Sequence, residues 1–185
     1  GLHYYENVVL SATFSADDGS FLVDITAGAG SFSDWVDLDK DGDLDLVVGG
    51  NGGYFSGDGR RYYENVGTVL APAFEQRTGS ANPLDLNGTH DYDSLTFADV
   101  DSDGDQDLFI SANGDFHYYK NVGNASAPTF EAQTGTGNPL DYITLPACDY
   151  YCMPVFADVD GDGDVDLTVG YGEELLFFEN VGDKT

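Results

Sequence analysis

Basic residues are scarce in this chain of 185 residues, which has six Lys and Arg against 34 Asp and Glu and a formal net charge of −28 at pH 7. Such a charge repels phosphate backbones and anionic membranes, and few cations are present to contact phosphates. We therefore expect no nucleic-acid binding. Since no apolar run approaches the roughly 20 residues of a membrane-spanning helix, we also expect no membrane insertion.

Recognisable catalytic motifs are also missing. The sequence has no G-x-S-x-G, no H-E-x-x-H and no cysteine–histidine pair at a motif spacing, and its three histidines are scattered. Paired carboxylates, which a hydrolase needs, are abundant, but a repeated loop accounts for most of them. We predict a protein without enzymatic activity and assign no catalytic residue.

Cysteine is nearly absent. Cys148 and Cys152 enclose Asp-Tyr-Tyr, and a disulfide between them is favoured over free thiols in an oxidising compartment. Two sequons, at Asn87 and Asn124, could accept N-glycans in a secreted protein. The chain starts at Gly1 rather than Met, which is typical of a processed product or of a segment of a longer chain. Together with the loops described next, these features predict an extracellular glycoprotein.

Aspartate, by contrast, is concentrated in a nine-residue loop that occurs three times. Each copy has Asp at its first, third, fifth, seventh and ninth positions and Gly at its sixth. Carboxylates this close repel one another, so the loop folds tightly only around a cation, and hard oxygen ligands at alternate positions fit Ca²⁺. We predict about three bound calcium ions, one for each loop. The candidate ligands are Asp37, Asp39, Asp41, Asp43 and Asp45 in the first loop, Asp99, Asp101, Asp103, Asp105 and Asp107 in the second, and Asp158, Asp160, Asp162, Asp164 and Asp166 in the third.

The loops are not predicted to be EF-hands. An EF-hand has a bidentate Glu at position 12 and continues into a helix. Position 12 is Val48, Ile110 and Val169 in the three copies, each within a short apolar run that is typical of a strand. Because residues two apart share a sheet face, we expect the core to contain Leu46, Val48, Leu108, Ile110, Leu167 and Val169.

The loops belong to a longer repeat, because they begin 62 and then 59 residues apart. An aromatic-aromatic-x-Asn-Val signature recurs in step with them, and a Pro-x-Phe-Glu signature follows it. With 24 glycines and no helical periodicity, the period predicts four strands: one entering the aspartate loop, one leaving it, and one at each signature. The first signature lies at 4–8, 62–66, 118–122 and 177–181, and the second at 72–75, 128–131 and, more weakly, 12–15.

The strand, the D-x-D-x-D-G-x-x-D loop, the second strand and the aromatic–Asn–Val–Gly segment together resemble the FG-GAP/VCBS repeat family over essentially the whole chain. Blades of this type occur in integrin α-subunit heads and in secreted lectins and adhesins. The resemblance implies an all-β fold, a β-propeller-like array of about three four-stranded blades, with Ca²⁺ in the hairpin loop between the first two strands. It implies side-chain ligands at loop positions one, three, five and nine, and backbone carbonyl ligands at position seven, which are Asp43, Asp105 and Asp164.

The array is predicted to be incomplete at both chain ends. Residues 1–20 form a partial blade with strands three and four, 21–80 form blade one, 81–140 form blade two, and 141–185 form blade three without its last strand. The N-terminal pair could complete the third blade within one molecule or between molecules, and a head-to-tail contact that does not close produces a filament. We therefore expect either self-assembly or a place within a longer propeller.

These features favour a secreted, calcium-binding structural or adhesion protein. Its expected partners are other copies of itself or neighbouring blades, with glycans and extracellular matrix as further candidates. The alternative is a calcium-dependent carbohydrate-binding lectin that uses clefts between blades. The repeated tyrosines could also act as sugar platforms, although their recurrence at one strand position favours sheet packing. Trp35 aligns with Phe97 and Phe156, which favours a core position, and the adjacent cations Arg60 and Arg61 could bind a neighbour's acidic surface.

Overall fold

The computed structural model describes residues 31–50, 60–86, 94–112, 115–124, 126–141, 143, 153–171 and 174–182. Over these ranges the chain has eleven strands in three antiparallel sheets, and two 3-10 turns at Gly79–Ala81 and Gly135–Gly137. The all-β prediction is confirmed. Within the same ranges, no helix is long and apolar enough to span a membrane.

The first sheet contains four strands in chain order, and its aspartate loop forms a hairpin between the first two. Val36 at the end of one strand pairs with Asp45 at the start of the next, so the loop closes where the ladder begins. The strands are β1 (Phe32–Val36), β2 (Asp45–Gly49), β3 (Arg61–Asn65) and β4 (Phe74–Arg77).

The other two sheets repeat this plan. Ala98 pairs with Asp107 and Ala157 pairs with Asp166, so each aspartate loop again closes a hairpin. Among the described residues the third sheet has three strands rather than four. The second sheet consists of β5 (Ser94–Ala98), β6 (Asp107–Ala112), β7 (Asp115–Asn121) and β8 (Phe130–Gln133), and the third of β9 (Pro154–Ala157), β10 (Asp166–Tyr171) and β11 (Glu174–Phe178).

The fourth strands begin two residues later than their sequence signature. β4 starts at Phe74 rather than at Pro72, and β8 starts at Phe130 rather than at Pro128. Proline has no N–H to donate to a sheet ladder, so both prolines stay outside the strand. Each proline instead follows a tight turn closed by an isolated bridge, Thr68 to Ala71 in the first sheet.

The second sheet lies between the other two. One face of β6 packs against the first sheet, where Leu108 and Ile110 share a buried cluster with Val47. Its opposite face packs against the third sheet, and the rings of Phe109 and Phe156 are 4.4 Å apart. A strand covered on both faces needs a continuous apolar run, which β6 has. The predicted core residues are all buried: Leu46, Val48, Leu108, Ile110, Leu167 and Val169.

Trp35 corrects one prediction. It pairs with Leu46 as Phe97 pairs with Leu108, so the predicted alignment is confirmed. The predicted core position is wrong, because Trp35 is 45% exposed. Phe97 lies between two sheets, whereas no described sheet packs on the face that carries Trp35, which contacts Phe74 at a ring distance of 5.7 Å.

Several predictions concern residues outside the described ranges. These are the partial blade at 1–20, the sequon at Asn87 and the disulfide between Cys148 and Cys152. Asn124 is described and is exposed, and its side-chain oxygen accepts the N–H of Ser126 at 3.1 Å. An exposed turn is accessible to a glycan, so the second sequon stays a prediction with suitable geometry.

Candidate metal centres

Each aspartate loop brings three carboxylates together. In every copy the residues at positions one, three and five offer one oxygen each, and these oxygens lie within 4.8 Å of one another. Such a spacing suits three oxygens around one cation, since Ca²⁺ binds oxygen at about 2.3–2.6 Å. The three clusters are Asp37, Asp39 and Asp41; Asp99, Asp101 and Asp103; and Asp158, Asp160 and Asp162.

Hydrogen bonds from the loop backbone hold these side chains in place. In the first loop, Asp37 accepts the N–H of Gly42 at 3.2 Å, Asp39 accepts that of Asp41 at 3.2 Å, and Asp41 accepts that of Asp43 at 2.9 Å. Each of these contacts uses one carboxylate oxygen of the accepting residue. The third loop repeats the pattern, with Asp158 accepting the N–H of Gly163 at 3.0 Å. The first loop therefore wraps around its own carboxylates, and these N–H groups leave one oxygen of each for a cation. In the other two loops both oxygens of Asp99 and both oxygens of Asp158 accept N–H groups, so these residues would bind a cation through their remaining lone pairs.

The backbone turns sharply at two places in each loop. The glycine at position six has a left-handed φ of 100° at Gly42, 94° at Gly104 and 96° at Gly163. The residue at position four also has a left-handed backbone conformation, with φ of 55° at Lys40 in the first loop and 57° at Ser102 in the second. A side chain in this region costs about 1–2 kcal/mol, so the first two loops adopt a strained turn that the third relieves with Gly161.

The residues present fit a hard divalent cation. Asp37 Oδ1 is buried and is the one buried side-chain oxygen or nitrogen without a hydrogen-bond partner in the described part of the chain. An unpaired buried carboxylate oxygen is costly. Since it belongs to the cluster with Asp39 and Asp41, a bound cation would supply the missing partner. The ligand atoms in all three clusters are carboxylate oxygens, which Ca²⁺ prefers.

The aspartate at position nine anchors the loop to the sheet. Asp45 is fully buried and accepts hydrogen bonds from the Leu38 N–H at 3.0 Å, the Tyr62 hydroxyl at 2.8 Å and the Asn65 N–H at 2.8 Å. Burial raises the pKa of Asp45 above its ordinary value, although these donors oppose the shift. A carboxylate has about four lone-pair sites, so one remains available. The role of Asp45 as a ligand stays a prediction, and its anchoring role is additional.

The other two units repeat this anchor with differences. Asp107 accepts the Tyr118 hydroxyl and the Asn121 N–H, both at 2.8 Å. Asp166 accepts the N–H of Val159 at 3.0 Å and that of Asn180 at 2.9 Å. The third unit has Phe177 where the others have tyrosine, so its anchor lacks a hydroxyl donor.

Sequence reasoning missed the hydroxyls of Tyr62 and Tyr118, because it assigned the tyrosine pair only to sheet packing. The alternation of side chains between the two faces of a strand could have revealed this role. The first tyrosine of each pair lies on the face opposite the second, and it follows the buried aspartate by 17 residues in the first unit and 11 in the second. Burial and the hydrogen bond to Asp45 or Asp107 together raise the pKa of each hydroxyl, so both remain protonated donors.

Lys120 distinguishes the second loop. Its ammonium contacts Asp101 and lies 3.4 Å from Asp103, and these contacts raise the pKa of Lys120. The equivalent residues in the other units are Glu64 and Glu179. A cation at the second loop must therefore compete with a resident positive charge, whereas the other loops have an additional carboxylate at that position.

Arg60 corrects another prediction. The expectation that it binds a neighbour's acidic surface is wrong, because Arg60 is buried and donates to the carbonyl oxygens of Leu84 at 3.2 Å and Leu86 at 2.9 Å. A guanidinium can saturate several carbonyls at once. Arg60 thereby fastens the segment after β4 onto the first sheet.

Comparison with known proteins supports this description. Residues 99–169, which include the second and third aspartate loops, match the family model of the FG-GAP-like repeat, and the resemblance is confirmed there. FG-GAP repeats occur in extracellular or surface proteins, commonly bind calcium and point to an adhesion-type repeat protein. No curated protein and no solved structure gave a significant match.

Proposed function

We propose, from the FG-GAP-like repeat at residues 99–169, that this chain is an extracellular structural or adhesion module in which calcium braces each β-hairpin, and that it has no enzymatic activity. The observation that carries the proposal is the convergence of three carboxylates in each of three equivalent loops. The buried, unpaired oxygen of Asp37 supports it independently.

Calcium would act as a structural brace because the loops connect the first two strands of every sheet. Extracellular calcium modules bind with dissociation constants on the order of 10⁻⁴ to 10⁻³ M. At about millimolar calcium, linkage then gives roughly 0.4–1.4 kcal/mol for each site. Three sites supply a few kcal/mol, which is a sizeable share of the about 5–15 kcal/mol that stabilises an ordinary domain.

We further propose that the three sheets are blades of a propeller-like array. Two observations support this: the sheets stack face to face in chain order, and their innermost strands β1, β5 and β9 lie next to one another. The proposed blades keep the boundaries 21–80, 81–140 and 141–185. Because the third sheet has three described strands, the array would continue through other copies of the chain or through further blades.

The lectin alternative loses the support of the repeated tyrosines. Tyr62, Tyr63, Tyr118 and Tyr119 are all buried in the sheets, so they do not form exposed platforms on which sugar rings could stack. The described part of the chain therefore favours a structural role for these aromatics. A glycan array probed with and without calcium would detect carbohydrate binding through any other surface.

Calcium titration by isothermal calorimetry tests the proposal. We expect about three sites in the wild-type chain, and the loss of one site in each of the variants Asp39→Asn, Asp101→Asn and Asp160→Asn. The matched control is Asp115→Asn, which changes an exposed aspartate outside the loops. An absence of binding at 10 mM calcium (on the order of tenfold above the weakest expected constant) would contradict the proposal.

A further inference from the structure

The outer edge of β11 lacks a partner that its equivalents have. In the first sheet, the Val66 N–H donates to the Ala73 carbonyl at 2.8 Å, and in the second sheet the Val122 N–H donates to the Thr129 carbonyl at 2.8 Å. Val181 is the equivalent residue, and among the described residues no strand pairs with this edge. Val181 is 80% exposed, against 44% for each of the other two valines.

The adjacent asparagine shows the same difference. The side-chain oxygen of Asn65 accepts the N–H groups of Gly67 at 3.1 Å and Ala73 at 2.9 Å. Asn121 likewise accepts those of Gly123 and Thr129. Asn180 accepts that of Gly182 at 3.1 Å, and no second N–H contacts it within the described ranges. In each of the first two sheets a single residue makes both contacts: Ala73 or Thr129 donates its N–H to the asparagine side chain, and its carbonyl accepts the N–H of the following valine. One residue of a fourth strand would therefore supply both contacts that Asn180 and Val181 lack.

Gly182 points to the same missing strand. A Cβ on Gly67 would lie 2.4 Å from the Ala71 carbonyl oxygen, and a Cβ on Gly123 would lie 2.4 Å from that of Ala127. Only glycine allows the incoming chain to approach so closely. Gly182 keeps the glycine, but within the described part of the chain its nearest neighbour would be the side chain of Asn180 at 3.0 Å. The position is therefore built for a backbone that these residues do not supply.

A groove of about 660 Å³ lies beside this edge, between the second and third sheets. Its walls include Leu140, Phe156 and Phe178. The equivalent residues in the second sheet surround Phe130, which is buried in a cluster with Leu84 and Tyr119 and lies 6.2 Å from the ring of Phe97. The groove therefore has the same walls as the pocket around Phe130. In the second sheet the fourth strand supplies that phenylalanine, and the described part of the third sheet has no such strand.

We propose that the edge of β11 and this groove bind residues 12–15 of a second copy of the chain as a fourth antiparallel strand. The segment Ala12-Thr13-Phe14-Ser15 matches Pro128-Thr129-Phe130-Glu131, with Thr13 making both missing hydrogen bonds and Phe14 entering the groove. Addition of an extended segment to a sheet edge is a general mode of recognition. The inference rests on the self-assembly part of the proposed function and not on calcium binding.

One feature favours a second copy over the same molecule, and another makes the approach of a second copy possible. The first and third sheets pack on opposite faces of the second, so the chain that leads into the first sheet at Ser31 starts on the far side of the stack from the groove. In addition, residues 8–16 contain no charged side chain. An uncharged segment can approach another copy despite the net charge of −28.

Complementary variants of the full-length chain test the inference. Phe14→Ala removes the aromatic residue of the donor segment and leaves the groove, whereas Gly182→Ala blocks the groove and leaves the donor. We expect concentration-dependent oligomers of the wild type in sedimentation velocity, and monomers of either variant alone, with association weakened at least about tenfold. An equimolar mixture of the two variants should form a dimer that does not grow further. The matched control Gly170→Ala, at an open position in β10, should assemble like the wild type.

A second blocking variant keeps the test independent of Gly182. Glu179→Pro removes a backbone N–H donor at the outer edge of the third sheet, and proline is tolerated at the edge of a sheet. We expect Glu179→Pro to abolish assembly. The control Glu179→Ala keeps the N–H and should assemble. A wild type that stays monomeric, or a mixture of Phe14→Ala and Gly182→Ala that forms no dimer, would overturn the inference. Calorimetric titration with calcium of the wild type and of Phe14→Ala, whose change lies outside the aspartate loops, reports the metal sites separately. Failure of assembly and failure of calcium binding are therefore distinguished.

Discussion

The second and third sheets have the same aspartate loop in different surroundings. The second is covered on both faces, and its Tyr118 is 4% exposed. Among the described residues the third is covered on one face, and the equivalent Phe177 is 51% exposed. Val155 and Val159 of the third sheet are exposed as well. The comparison shows that the loop sequence defines the carboxylate cluster, while the third strand and the neighbouring sheet decide how firmly the cluster is held.

The chemistry around the two loops differs in the same direction. Asp107 accepts a hydroxyl from a buried tyrosine, whereas Asp166 accepts only backbone N–H groups among the contacts described. The second loop has the ammonium of Lys120 beside its carboxylates, and Glu179 takes that position in the third unit. We therefore expect the second loop to be more stable without calcium and the third to depend more on calcium.

Removal of the position-nine aspartate should have the largest effect. Asp107→Ala leaves the Tyr118 hydroxyl and the Asn121 N–H buried without an acceptor, and we expect a loss of about 2–4 kcal/mol in the free energy of unfolding. Asp166→Ala should cost about 1 kcal/mol, because its hydrogen bonds from the N–H groups of Val159 and Asn180 are only partly buried. Urea denaturation of both variants measures the two losses in the free energy of unfolding. Equal losses would contradict the claim that Asp107 holds its loop more firmly than Asp166 does.

The tyrosine hydroxyl should account for the next largest effect. We expect Tyr118→Phe to destabilise the chain by about 1–2 kcal/mol, because the buried carboxylate of Asp107 loses a donor. The reciprocal change Phe177→Tyr should alter stability by less than about 0.5 kcal/mol, since the side chain is half-exposed. Thermal melts of the two variants and of the control Tyr62→Phe, which should resemble Tyr118→Phe, check this. A neutral Tyr118→Phe would show that the hydroxyl does not support the anchor.

The charge beside the loop should change calcium affinity more modestly. We expect Lys120→Glu to tighten binding at the second loop about fivefold, because an attractive charge replaces a repulsive one within a few ångströms of the cation. Glu179→Lys should weaken the third loop by a similar factor. Calorimetry in a background where the other two loops carry Asp→Asn changes isolates each site. Affinities that do not respond to either substitution would contradict the role of this position.

The smallest expected effect extends the comparison to the first sheet. Arg77 donates to both carboxylate oxygens of Glu64, at 2.6 and 2.7 Å, and this pairing lowers the pKa of Glu64 below its ordinary value of 4.5. The pair therefore stabilises the folded chain at neutral pH, and its contribution disappears as the pH falls through the lowered pKa. Glu64→Gln should cost about 0.5–1 kcal/mol at pH 7 and less near pH 3. A pH-independent difference in urea denaturation would show that the pair makes no such contribution.

Local patterns predicted most of the fold and part of the site. Alternating apolar residues and repeated signatures located the strands and the buried residues such as Leu108 and Ile110, because strand periodicity depends on near neighbours in sequence. The converging carboxylates follow from spacing alone. The exposure of Trp35 depends on which sheet packs against which. The burial of Arg60 and the contact of Lys120 with Asp101 depend on how distant segments of one unit come together. No single segment contains that information.

The effect of calcium removal on the thermal melt tests the central claim most directly. If calcium braces three hairpins, excess EDTA should lower the melting temperature by about 5–10 °C, since a few kcal/mol are lost at about 2–4 °C for each kcal/mol in a chain of this size. Addition of calcium beyond the EDTA should restore the original melt, and the triple variant Asp39→Asn, Asp101→Asn, Asp160→Asn should show no response to either reagent. A wild-type melt that is unchanged by EDTA would contradict the account.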